Sequence, residues 1–116
     1  MYDNNNIFAK IIRKEIPCEP IYEDEHVLFF NDISPQAKIH VLGIPKISVI
    51  NLRDFVLNAE KDLINHFFDK VVHVINILDL NESGYRLITN DGPDSGQEVP
   101  HFHIHILGGE SINRLI

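Results

Sequence analysis

The sequence predicts an antiparallel α+β sandwich. Four or five short β-patterned segments follow one another in hairpin-like succession, and one long amphipathic helix, over residues 60–79, is inserted before the last two. The chain has 116 residues, 44% of them hydrophobic, with six Gly and six Pro, which is enough apolar material for one core and argues against a disordered or fibrous chain. No internal repeat, linker or low-complexity tract divides it, so residues 1–116 are read as a single domain.

Each element carries its own signal. Ile7, Phe8, Ile11 and Ile12 fall at helical spacing, predicting a short amphipathic helix that ends before Pro17 and sits at the edge of the sheet. Ile21–Glu23 and His26–Asp32, joined through Asp24-Glu25, read as a tight hairpin with a solvated acidic tip. Ser34-Pro35-Gln36-Ala37 is a turn, and Ile39–Pro45 is a strand whose Gly43 suggests close approach of another element. In the long helix Leu63, Ile64, Phe67, Phe68, Val71, Val72, Ile75 and Leu78 form one apolar face. Tyr85–Asn90 is a strand, Asp91–Gly96 a polar loop with two glycines, and His101–Leu107 the last strand.

Charge and cysteine content narrow the function. Ten basic against 17 acidic residues give a net charge of −7, which disfavours DNA or RNA, because polynucleotide binding depends on cations neutralising phosphates. A small anion remains admissible if positive potential is concentrated locally. The lone Cys18 admits no internal disulfide or thiolate metal site and has no evident chemical role. No signal peptide is evident and no apolar run approaches the roughly 20 residues of a membrane span, so no membrane association is expected and the cytoplasm is the expected compartment.

The chemistry concentrates in Pro100-His101-Phe102-His103-Ile104-His105-Ile106-Leu107. Side chains alternate along a strand, so His101, His103 and His105 share one face while Phe102, Ile104 and Ile106 build core on the other. Neighbouring histidines start roughly 6.6 Å apart and the outer pair roughly 13 Å. Zinc needs its ligand nitrogens at about 2.0–2.1 Å, so at most two of the three converge on one ion. A metal site would need a further group such as His40 or Glu98, and it is the weaker reading. Phosphoryl or nucleotidyl transfer suits the row better: one neutral imidazole attacks phosphorus while its neighbours stabilise charge and handle a proton, with no cofactor. Imidazoles this close repel one another when charged, so activity is expected to fall as acidity increases. His66 and His73 on the long helix, and His26, carry no chemical pattern.

The stretch Gly96-Gln97-Glu98-Val99-Pro100-His101-Phe102-His103-Ile104-His105-Ile106-Leu107-Gly108-Gly109 resembles the signature of the histidine triad (HIT) hydrolases, and within them the histidine triad nucleotide-binding branch. The similarity extends through Ile7–Pro17, Asn31–Ala37, His40 and Gly84-Tyr85-Arg86. It implies a five-stranded antiparallel sheet with one long and one short helix, a homodimer with a continuous sheet, and a purine nucleotide pocket holding an AMP or GMP moiety. Carried onto this chain, it makes His103 the nucleophile that forms a nucleotidyl-histidine for water to cleave. His105 would contact phosphate and help with the leaving-group proton, His101 would position His103 through its carbonyl, and His40 would complete the cluster. Asp32 falls where ribose is bound, and Ile7, Phe8, Ile11, Phe30 and Ile33 fall around the base. Asn90, Gly96, Gln97, Glu98 and Val99 fall near the phosphate.

The implied activity is hydrolysis of nucleoside phosphoramidates or adenylyl conjugates to the nucleoside monophosphate. The alternative is a nucleotide-binding regulatory module with incidental turnover. Retention of the third histidine points to water as acceptor, and Gly108-Gly109 favours this branch over the dinucleoside polyphosphate hydrolases. Glu98 replaces a serine of some members, Ile47-Ser48 replaces basic and histidine residues, and the seven residues after Gly109 lack Trp.

Overall fold

The computed structural model describes residues 1–113, and the last three residues of the C-terminal tail lie outside the described residues. The chain runs α1 (Ile7–Ile12), β1 (Pro20–Glu23), β2 (Val27–Asn31), β3 (Ile39–Pro45), α2 (Leu52–Asn58), α3 (Lys61–Ile77), β4 (Tyr85–Ile88) and β5 (Ile104–Gly108), with a 3-10 turn at Pro93–Ser95. The five strands form one sheet in the order β1-β2-β3-β5-β4, every neighbouring pair antiparallel. The α+β class and the antiparallel five-stranded sheet are as the sequence predicts. Among the described residues no helix is long and apolar enough to cross a membrane.

Two layers of packing sandwich the sheet. On one face α3 buries Phe67, Val71, Val74 and Ile75 against Phe29 of β2, Val41 of β3 and Ile104 and Ile106 of β5, joined by Phe55 and Phe102. Phe102 stacks on Phe55 with ring centroids 4.9 Å apart. Gly43 lies opposite Phe29, and a Cβ there would meet the Phe29 ring at 2.3 Å, so the close approach is by a neighbouring aromatic side chain. On the other face α1 lays Phe8 on Leu28, Phe30, Leu42 and Ile44. It therefore covers the face of β2 and β3 rather than the sheet's edge, because its apolar stripe needs strand side chains to bury against. Asn6 caps α1 by accepting from the Ala9 N–H at 2.9 Å.

Four further expectations are corrected. There are two short helices besides the long one: α2 is capped by Asn51, which accepts from the Asp54 N–H at 2.9 Å while Asp54 accepts from the Ile50 N–H at 2.8 Å. Val72 does not belong to the buried face of α3, being 63% exposed, and Val74 takes that role. The paired part of the last strand begins at Ile104, so His101–His103 lie outside the ladder, with the Phe102 N–H donating instead to the Val49 carbonyl at 2.8 Å. The acidic hairpin tip is also not merely solvated. Asp24 accepts from the His26 and Val27 N–H groups, from Tyr22 at 2.9 Å and from His66 at 2.7 Å, while Glu23 pairs with Lys46 at 2.6 Å. Burial opposes ionisation of Asp24, but these donors outweigh it and hold its carboxyl well below the usual range. His66 thus ties the hairpin to α3.

Candidate active site

A cavity of about 390 Å³ opens beside α1, on the sheet face it covers, lined among others by Phe8, Asp32, His40, His103 and His105. Antiparallel pairing explains the convergence. His105 lies opposite Leu42 on β3 and Ile88 on β4, and His40 lies two residues before Leu42, so all four project to the same face. Asp32 follows β2 and its N–H donates to the His40 carbonyl at 2.9 Å, which draws the start of the 32–37 turn beside the histidines.

Hydrogen-bond partners fix the protons on each ring. The Gln36 N–H donates to Nδ1 of His40 at 3.0 Å, so a neutral His40 carries its proton on Nε2. That Nε2–H donates to Nδ1 of His105 at 2.8 Å, with Oδ2 of Asp32 3.4 Å away. His105 then carries its proton on Nε2, leaving a donor for the cavity. His103 is set the opposite way. Its Nδ1 is 2.7 Å from the His101 carbonyl, which can only accept, so Nδ1 bears the proton and Nε2 keeps a bare lone pair. The cavity therefore holds one unprotonated ring nitrogen and one N–H donor on adjacent rings whose centroids lie 5.1 Å apart.

Burial keeps these rings neutral. Desolvation pushes His101 and His105 down to about 4, and lowers His40 and His103 as well. For His103 the carbonyl bond from His101 and the charge of Asp32 pull upward without overcoming burial. Neighbouring imidazoles contribute at His101 and His105, but less than desolvation does.

Asn90, Gly96, Gln97, Glu98 and Val99 also line the cavity. Gly96 sits at φ 76°, a conformation that favours glycine. The Gln97 side chain is occupied as a strut: its Oε1 accepts from the Gly92 N–H at 2.9 Å, and its Nε2 donates to the Ile50 carbonyl at 3.0 Å and to Val99 at 3.2 Å. Of the five residues expected around the base, only Phe8 lines the cavity. Phe30 belongs to the core cluster under α1 and Ile11 of α1 packs half-buried against it, while Ile7 is 43% and Ile33 94% exposed. His101 is wholly buried behind His103 and does not line the cavity either. Ser34, Gln36, Leu42, Ile88 and Leu107 line it without having been singled out in the sequence. The register of β3 and β4 against His105 is the signal that reaches Leu42 and Ile88.

Asp32, His40 and His105 also bring one ligand atom each within 4.8 Å of one another. Only one of the three strand histidines belongs to this set, and Glu98 does not. The proton pattern opposes a metal ion there. With the Gln36 N–H at Nδ1, the neutral His40 ring presents N–H, not a lone pair, at Nε2.

An antiparallel α+β sheet that gathers the neutral imidazoles of His40 from β3, His105 from β5 and His103 just before it into one cavity defines a histidine-cluster protein. The chain belongs to the HIT family: the family model for the HIT domain matches residues 13–112. A HIT-like protein of Rickettsia prowazekii (strain Madrid E) is 49% identical over 116 residues, covering 100% of this chain and 97% of that one. A 14 kDa zinc-binding protein of Zea mays is 44% identical over 112 residues, covering 96% of this chain and 87% of that one. A solved HIT family hydrolase from Clostridium thermocellum superposes with a TM-score of 0.88 at 38% identity, covering 98% of each chain. The chain is thus similar to hydrolases of this family over almost its whole length.

Proposed function

We propose that this protein is a purine nucleotide-binding hydrolase that cleaves nucleoside phosphoramidates or adenylyl conjugates through a nucleotidyl-histidine on His103, releasing the nucleoside monophosphate. The observation that carries the reading is the opposite protonation of two adjacent rings, a bare Nε2 on His103 beside an Nε2–H on His105. In the first step the His103 lone pair bonds to the α-phosphorus, and the bond to the leaving nitrogen or oxygen breaks. That atom takes the electron pair and a proton. In the second step water bonds to phosphorus, the P–N electrons return to His103, and the proton lost by water balances the one carried off by the leaving group. His105 donates to phosphate and handles the proton, and Asp32 is assigned to the ribose hydroxyls. Phe8, which lines the cavity, and the exposed Ile7 and Ile33 outside its lining are assigned to the purine.

The protein is further proposed to be a homodimer. β4 is an edge strand whose Tyr85 and Leu87 are 46% and 43% exposed, as expected where a second sheet continues the first. No nucleic acid is involved, in keeping with the net charge of −7. The free Cys18 suits the reducing cytoplasm.

Steady-state hydrolysis of adenosine 5′-phosphoramidate tests the function. The wild type turns it over, chelation with EDTA leaves the rate unchanged, and His103→Ala lowers it by about a thousandfold or more. Tight AMP binding without turnover would favour the regulatory module instead. A rate abolished by EDTA and restored by zinc would favour a metal enzyme built on Asp32, His40 and His105, in line with the name of the maize relative.

A further inference from the structure

His101 takes no direct part in the proposed chemistry except through its backbone carbonyl, yet its ring is fully buried and doubly hydrogen-bonded. Its Nε2 lies 2.9 Å from the Pro45 carbonyl, an acceptor, so Nε2 carries the ring proton and Nδ1 is bare. The Tyr2 hydroxyl, 2.6 Å from that Nδ1, is then the donor that satisfies it. The two rings meet edge-on, with centroids 5.6 Å apart and planes at 70°. The family model begins at residue 13, so this contact comes from outside the matched segment.

We propose that Tyr2 is a positioning residue for the reaction at His103: by donating to Nδ1 it holds the His101 ring, whose tautomer the Pro45 carbonyl sets, in one orientation, and so fixes the carbonyl that aims the nucleophile. Resting on the reading of His103 as nucleophile, this adds a residue 101 positions away in sequence that touches neither substrate nor cavity. Without the hydroxyl, Nδ1 is left as an unpaired buried acceptor while the Pro45 carbonyl still keeps the proton on Nε2, and the ring is no longer held against turning. When the His101 side chain turns, its backbone turns with it, because Phe8 packs edge-on against both His101 and His103, at 6.2 Å and 5.0 Å, leaving little room for the ring to move alone. Small errors in the aim of a nucleophile lower kcat, whereas substrate binding is made by other residues.

Tyr2→Phe in the full-length protein removes the hydroxyl and keeps the ring. Two quantities are measured: the nitrogen-15 signal of His101 Nδ1, by correlation spectroscopy of its side chain at neutral pH, and kcat and KM for adenosine 5′-phosphoramidate. The expected result is a ring still protonated on Nε2 whose Nδ1 signal is displaced from its wild-type position, with kcat lowered about fivefold to tenfold and KM within about twofold of wild type. An unchanged Nδ1 signal, or a displaced one with unchanged kcat, overturns the proposal. So does a kcat loss that comes with a matching rise in KM and a lowered thermal midpoint, the mark of a merely structural residue. Wild-type protein without turnover would instead overturn the proposed reaction, and the Nδ1 signal would still decide whether Tyr2 holds His101.

Discussion

A histidine is useful as a nucleophile only when neutral and correctly oriented, and for His103, the proposed nucleophile, both conditions come from identifiable neighbours. The His101 carbonyl accepts a hydrogen bond from the Nδ1–H of His103, and burial holds the ring below the ordinary imidazole value of about 6.5. Because the active form is the deprotonated one, kcat/KM should stay level from pH 8 down to about 6.5 and decline only in more acidic solution, as His103 takes up a proton. A profile whose acid midpoint lies at or above about 6.5 would contradict the buried, neutral nucleophile. The direction of this effect is legible in the sequence, from three imidazoles on alternating positions. Its main cause is not: burial outweighs mutual repulsion, and burial depends on Phe8 and the second face of the sheet. Tyr2 is equally out of reach of sequence reading, since nothing near residue 2 signals a partner at His101.

At the level of elements, strong patterns are read correctly and weak ones are lost. β3 spans Ile39–Pro45 as the pattern indicates, and α3 follows the three- and four-residue spacing of its apolar face. α2 escapes because its apolar residues point the wrong way: Phe55 is buried, whereas Leu52, Val56 and Leu57 are 40%, 49% and 66% exposed. Its signal is the cap, Asn51 followed three residues later by Asp54. Asn51→Ala should therefore lower stability by about 1 kcal/mol, read as a shift in the urea midpoint. The same substitution removes the Asn51 donor to Asp91, 3.0 Å away in the polar loop, so a small rise in KM should accompany it. No change in either quantity would mean that α2 is held by packing of Phe55 alone.

For the whole molecule, the sheet divides labour between its faces. One carries the main core under α3; the other carries α1 and the cavity, and β5 serves both by alternation. The exposed edge at β4 is the surface on which the proposed dimer depends. Leu87→Lys should shift the protein from dimer to monomer in analytical ultracentrifugation while leaving the fold intact. A wild-type monomer at all concentrations, or a variant that stays dimeric, would place the interface elsewhere or remove it. Covalent chemistry at His103 is read most directly by intact-protein mass spectrometry after a rapid alkaline, denaturing quench during turnover of adenosine 5′-phosphoramidate, because the P–N bond of a nucleotidyl-histidine is acid-labile. One adenylyl group per chain is expected, mapped to His103 and absent from His103→Ala. Turnover at the wild-type rate with no adduct, or with an adduct on any other residue, would contradict it.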